Sequence, residues 1–408
     1  MAEQEQGAPN RSGRRTLVRV AVPVAVVAAV AAGVGLVPAL ASDSGPNLPS
    51  VTAEQLVAKA LGSDTEALSG TVQMKADLGV PSQLLGAAGG FAQGAGGSGA
   101  PGGSSGSGGA QPQAKLAELL AGQHTLQVAV DGPDRQRIGL VEDLAGYELV
   151  HNGTDVWAWD SSSNEAVHLK APQGAAGKRS ERPSVAPVTP QDAAKQFLAF
   201  ASGSTTVAVD GTMTVAGRDA YRLTLTPKGQ GSTIARVRIA VDAEHGVPLS
   251  VQATAASGGP VLDVHYSKVS FDRPAASVFA FTPPKGAKVT EHRADDVPAG
   301  HGLPGGTSLG KPSGKPAGGA PDVQVTGEGW TTVVSTRLPL DEVSGQGGGH
   351  GAKGGPQGAL SMVKAFGKPV GGGTLIGTKV VNVLVTDDGR VFAGAVTLPV
   401  LQHAAGVK

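Results

Sequence analysis

Two stretches of this sequence imitate catalytic loops, and neither has the surroundings that its chemistry needs. Gly102-Gly103-Ser104-Ser105-Gly106 matches the nucleophile elbow in letters. That elbow works only where a strand leads in and a helix leads out, so that the turn holds the serine hydroxyl exposed. Here it lies within a Gly/Ser/Ala/Pro run. Gly305-Gly306-Thr307-Ser308-Leu309-Gly310-Lys311 imitates a phosphate loop, but Pro312 replaces the hydroxyl residue that would hold magnesium. The 9 histidines are scattered without paired ligand spacing, so no metal site is read. Asp131, Asp134, Asp143 and Asp387-Asp388-Gly389 sit in turn contexts without the spacing of a calcium loop. Glu142 and Asp143 would face opposite ways on a strand. Asn152-Gly153-Thr154 is a formal glycosylation sequon and equally a turn. Cysteine is absent, which removes disulfides, thiolate ligands, thiol nucleophiles and the lipid-modified cysteine of a lipoprotein. No catalytic residue, metal or cofactor is expected.

What remains is binding chemistry. Asp155-Val156-Trp157-Ala158-Trp159-Asp160 lies between the turns at Asn152-Gly153 and Ser161-Ser162-Ser163-Asn164. Residues two apart on a strand share a face, so Trp157 and Trp159, two of only 3 Trp, point the same way. They either line a ligand cavity or pack under a helix. With 33 basic and 33 acidic residues there is no net charge to favour nucleic acid.

The elements that would position such a site read from residue 51 onward. Thr52 caps a helix, with Gln55 closing a capping box. From Leu68 to Leu78, Leu68, Gly70, Val72, Met74, Ala76 and Leu78 take one face, and Thr71, Gln73, Lys75 and Asp77 the other. Leu126, Val128 and Val130 alternate in the same way. Thr189-Pro190-Gln191-Asp192 opens a second helix. Val237, Ile239 and Val241 face in, with Arg236 and Arg238 facing out. The phase slips between Tyr266 and Val269, which predicts a bulge. Near the end, the turn Asp387-Asp388-Gly389 joins two strands of a hairpin.

The N-terminus carries a different signal. Residues 1–19 are polar and basic, with Arg11, Arg14, Arg15 and Arg19. Residues 20–41 hold no charge and are long enough to cross a membrane as a helix. The arginines place the N-terminus inside and the rest outside. The run is a transmembrane anchor, or a signal peptide cleaved at about Ala41, where Pro38-Ala39-Leu40-Ala41 supplies small residues. The expected organisation is a folded domain at 51–290 with a Gly-rich insertion at 86–113, a linker at 291–321, and a small C-terminal α+β module at 322–408.

The motifs Leu68-Ser69-Gly70-Thr71-Val72, Asp131-Gly132-Pro133-Asp134-Arg135, Asn152 to Asp160, Ala216-Gly217-Arg218-Asp219-Ala220-Tyr221, Val241-Asp242 with Gly246-Val247-Pro248-Leu249, and Phe279-Ala280-Phe281-Thr282-Pro283-Pro284-Lys285-Gly286-Ala287 occur in this order. Together they resemble the LolA-like family of bacterial envelope proteins, including the RseB-type regulators, in the form found in high-GC Gram-positive bacteria. The resemblance covers residues 51 to about 289 and leaves out the C-terminal module. It implies an α+β fold: an incompletely closed antiparallel β-barrel, or curved sheet, whose hollow is covered by helices.

Two functions follow from the resemblance. The leading one is a non-enzymatic extracytoplasmic carrier whose hollow binds lipoprotein acyl chains or other lipids. Val72, Met74, Val128, Trp157, Trp159, Val237 and Ile239 are its candidate lining. The alternative is a membrane-anchored regulator that binds an envelope signalling protein.

Overall fold

The computed structural model describes residues 45–79, 119, 121–142, 145–170, 189–199, 203–293, 323–337 and 367–407. The two imitation loops, the Gly-rich insertion and residues 20–41 lie outside the described residues.

Helix α1 spans Ala53–Leu61. Its start is fixed reciprocally: the Gln55 amide donates to Thr52 Oγ1 at 3.2 Å, and the Thr52 amide donates to Gln55 Oε1 at 3.0 Å. Helix α2 spans Pro190–Ala199, with the Asp192 amide donating to Thr189 Oγ1 at 3.2 Å.

The strands of the first sheet are β1 (Ala67–Asp77), β2 (Ala121–Asp131), β3 (Arg135–Val141), β4 (Gly146–Asn152), β5 (Asp155–Asp160), β6 (Glu165–Lys170), β7 (Thr205–Val215), β8 (Arg218–Pro227), β9 (Ile234–Asp242), β10 (Pro248–Ala255), β11 (Pro260–Ser270) and β12 (Lys288–Arg293). Their order is β12-β6-β5-β4-β3-β2-β1-β11-β10-β9-β8-β7. Strand β1 thus sits between β2 and β11 and joins two runs of neighbouring hairpins. The expected bulge lies between β1 and β11, where the register shifts between Thr71 and Val72.

This sheet corrects the expected barrel. It is open, with β12 and β7 as its edges and no pairing between them, and it is neither closed nor strongly curved. It is also mixed, because β12 runs parallel to β6. The reason is the connection. A parallel neighbour needs a long crossover, and residues 271–287 supply one by carrying the chain from β11 across one face to the far edge.

The alternation of each strand gives two unlike faces. Opposed residues share a face, so Met74, Val264, Val251, Ile239, Leu223 and Val209 form one apolar row. Helix α1 packs on this face against β7 and β8, and α2 against β10 and β11. The opposite face carries the crossover, called here the strap.

A second sheet is built from β13 (Gln324–Thr326), β14 (Val333–Arg337), β15 (Lys368–Val370), β16 (Gly373–Gly377), β17 (Asn382–Thr386) and β18 (Arg390–Gly394), in the order β13-β14-β18-β17-β16-β15. Helix α3 (Leu398–Ala405) covers it, packing Leu401 and Ala405 in one cluster with Val333, Leu384 and Phe392. Trp330 ties the two sheets together. Its indole enters the core of the first sheet, donates from Nε1 to Thr205 Oγ1 at 2.7 Å, and stacks at 6.3 Å from Phe197.

The membrane anchor is corrected as well. Among the described residues no helix is long and apolar enough to cross a membrane. The longest, α2, has 10 residues, or about 15 Å against the ~30 Å of a hydrocarbon core. Attachment through residues 20–41 finds no support here and is not retained.

Candidate functional site

Five of the seven candidate lining residues lie on the helix face and are buried there. Val72, Val237 and Ile239 are 0% exposed, Val128 4% and Met74 7%. These five share that face through the pairings Val72 with Leu126, Gly70 with Val128, Met74 with Val264, and Val251 with Ile239. Trp157 and Trp159 are not among them. Their strand presents Ala158 to the helix face, opposite Leu149 and Val167. Both indoles therefore lie on the strapped face.

There they form an aromatic group with the strap. Phe281 sits 5.4 Å from Trp157 and 6.3 Å from Trp159, and His168 stacks on Trp157 at 3.9 Å. The strap includes a 3-10 turn at Ala276–Phe279, and Phe279 is buried beneath it. Asn164 Nδ2 donates to Gly286 O at 3.0 Å and pins the far end. Trp159 Nε1 is buried without a hydrogen-bond partner.

Beside the strap a groove of about 590 Å³ opens over β11, β1, β2, β3 and β4. Its floor follows the rows Ser270-Ser69-Ala129-Arg137 and Lys268-Thr71-Gln127-Gly139-Glu148. Arg137 forms one wall: its Nη2 donates to Glu148 Oε1 at 2.7 Å and its Nη1 to Val278 O of the strap at 2.9 Å. Ser69, Thr71, Gln127 and Ser270 add hydrogen-bonding groups to this lining, and Arg137, Glu148 and Lys268 add charges, although most of its exposed area is apolar.

Gly139 is the informative residue. Glycine weakens a strand interior, by roughly 0.5–1 kcal/mol relative to alanine in the usual case. Its backbone is ordinary for a strand, since it is absent from the positive-φ glycines. A Cβ built on it would meet nothing within 4 Å. Neither conformation nor packing calls for glycine there, yet a side chain would project into the groove. The sequence signal was a glycine in the middle of Arg135-Gln136-Arg137-Ile138-Gly139-Leu140-Val141, a strand otherwise filled with long side chains.

Two of the quoted motifs meet elsewhere, as scaffold. Ala216 (φ 51°) and Gly217 (φ 75°) turn β7 into β8. The turn delivers Arg218 to the buried Asp242, with Nε to Oδ2 at 2.5 Å. Asp242 Oδ1 also accepts the amides of Glu244 and His245 at 3.0 and 2.6 Å. Burial opposes its charge, but Arg218 and the His245 amide outweigh this and hold the carboxyl below the usual carboxylate range. Arg218 in turn lies 4.7 Å over the Phe271 ring. Among the described residues no group of three His, Asp or Glu could hold a metal ion.

No family model matches the sequence, and no curated protein matches it. Among solved structures the chain is similar to the MucA/MucB complex of Pseudomonas aeruginosa, at 14% identity over 86% of this chain and 96% of that one, with a TM-score of 0.39. It is similar to an uncharacterized conserved protein from Thermus thermophilus, at 11% identity over 59% of this chain and 99% of that one, TM-score 0.31. It is similar to a LolA superfamily protein from Nitrosomonas europaea, at 14% identity over 57% of this chain and 99% of that one, TM-score 0.21. All three are at 14% identity or below, and none singles out the high-GC Gram-positive subgroup.

Proposed function

We propose that this chain is a non-enzymatic, extracytoplasmic binding protein that takes a segment of an envelope regulatory protein in the groove on its strapped face. One contrast carries the reading: Val72, Val237 and Ile239 are buried in the protein's own core, while the open groove lies on the other face and carries hydrogen-bonding side chains along its floor. An acyl chain gains about 0.8 kcal/mol for each methylene it buries in apolar surroundings. On the helix face it would have to displace the packing around Val72, Val237 and Ile239. A polypeptide instead matches a floor of Ser69, Thr71, Gln127 and Ser270 with hydrogen-bonding groups of its own. The uncharged run at 20–41, preceded by arginines, supports export. The empty space over Gly139 supports a site kept open for something that approaches the backbone closely.

The test is a direct competition between ligand classes. The purified chain is offered a random peptide display library and, separately, a fluorescent fatty acid. The reading expects enriched peptides whose binding changes the emission of Trp157 and Trp159 beside the groove, and no saturable fatty-acid binding. Saturable fatty-acid binding without peptide enrichment would return the carrier reading to first place.

A further inference from the structure

We infer that the segment bound on the strapped face is acidic and extended, and that it runs from the groove across β11 and β10 to Arg238. The inference rests on the reading that this face is the docking face, and adds the chemistry of its occupant.

The chain has no net charge, so an imbalance on one face is local. The strapped face carries Arg137, Lys268, Lys75, Arg238, Arg236 and Arg222. The pairings place them there: Thr71 with Lys268, Lys75 with Asp263, Asp263 with Gln252, Gln252 with Arg238, and Arg238 with Thr224. The acids among them engage Arg137, Arg222 and His265, and Asp77 engages Lys379, between β16 and β17 of the second sheet, which leaves Lys268, Lys75, Arg236 and Arg238 as the local surplus. Glu148 accepts from Arg137. Asp210 accepts from Arg222 at 2.8 Å and from Thr224 at 2.8 Å. Asp263 bonds His265 at 2.8 Å and accepts from Gln252 at 3.3 Å.

Arg238 is the anomaly. Its Nε is buried and has no hydrogen-bond partner, although a guanidinium donor removed from water normally finds an acceptor. Its cross-strand neighbours Thr224 and Gln252 both spend their side chains on the flanking acids. Arg238 as a whole is only half-buried, so a carboxylate from outside can pair with the accessible part of its guanidinium, the fork that such a group fits best, and Arg236, exposed two residues away on the same face, adds to its attraction.

The geometry sets the length. Gly139 and Arg238 are separated by β2, β1, β11 and β10, five strand spacings or about 24 Å across. Their rows are offset by roughly 13 Å along the strands. The diagonal of about 27 Å is spanned by roughly eight extended residues. An anionic membrane surface fits less well, because it would have to reach into a recessed groove. Among the described residues, Val141 and Val289 are the exposed large apolar residues of this face that could enter a bilayer.

The experiment measures anisotropy of three labelled Gly/Ser peptides of about twelve residues, carrying glutamates, lysines or neither, with phosphatidylglycerol vesicles as a fourth probe. The purified chain is compared with Arg236→Gln/Arg238→Gln and Gly139→Val, each checked for an unchanged thermal transition. The inference expects the glutamate peptide to bind more tightly than the other two, and to weaken strongly between roughly 50 and 500 mM salt. It expects at least a tenfold loss in the double arginine variant. Equal affinity for all three peptides, or no change in that variant, overturns the acidic assignment and leaves the docking face standing. Undiminished peptide binding by Gly139→Val overturns the docking face itself. Binding of vesicles in preference to the glutamate peptide also overturns the assignment, in favour of a membrane surface.

Discussion

Arg218→Ala should be among the most destabilising single changes on the surface of the first sheet. Asp242 is 0% exposed, while Arg218 is 27% exposed. Removing the guanidinium leaves a buried carboxylate with only the Glu244 and His245 amides and the His245 ring at 3.2 Å. Breaking a buried pair in this way costs about 3–5 kcal/mol. The surviving amide bonds and the partial exposure of Arg218 lower the expected loss to about 2–4 kcal/mol. The pH dependence has a definite sign. Asp242 is held below the usual carboxylate range, so the pair stabilises the fold above the unfolded aspartate value of about 3.9, and the contribution is lost as pH falls through the folded value. Without Arg218 the carboxyl protonates at higher pH, and acid unfolding should begin earlier. Urea unfolding at neutral pH, with an acid titration followed by circular dichroism, measures both. A loss below about 1 kcal/mol, together with an unmoved acid transition, would refute the assignment of this pair as the lock of the β9–β10 turn.

Other expectations follow from single contacts. Gly246 has φ +71°, and a Cβ there would lie 2.8 Å from Lys59 O, so Gly246→Ala should cost more than ~1 kcal/mol and loosen α1, read by hydrogen exchange. His265 titrates above its ordinary value because Asp263 hydrogen-bonds it; that stabilisation is full below about pH 6.5 and lost as pH rises through the raised value. In NMR titration Asp263→Asn should bring the His265 midpoint back down. Trp330→Ala should cost about 3–5 kcal/mol and raise exchange at Thr205 and along β9, because the indole joins the two sheets.

Much of the architecture could be read from residue order. Thr52 with Gln55, and Thr189 with Asp192, announced both helices, since capping is local. The alternation from Leu68 to Leu78 and from Val237 to Val241 correctly separated the two faces of each strand. Three features were not local. Closure depends on whether β7 and β12 meet, and nothing within either strand encodes that. The parallel placement of β12 follows from where the strap lands, which is set by Phe281 meeting Trp157 and Trp159 across more than a hundred residues of chain. Alternation also gives the phase within a strand but not which phase meets the helices. In Asp155 to Asp160 the small Ala158 faces them and the two indoles do not. Of the site, Arg137, Gly139 and Arg238 were visible as letters, but their common face emerged only with the strand order. Arg218 and Asp242 read as separate turn motifs until the fold joined them.

The most direct measurement compares the affinity of the chain and of Gly139→Val for a peptide selected on the unmodified protein, with unfolding free energies measured in parallel. Valine suits a strand, and a Cβ at this position meets nothing within 4 Å, so stability should be unchanged or raised by up to about 1 kcal/mol. If the groove over Gly139 is the docking site, affinity should fall at least tenfold while the fold is kept. Unchanged affinity in a fully folded Gly139→Val protein would contradict the account and return attention to the helix face.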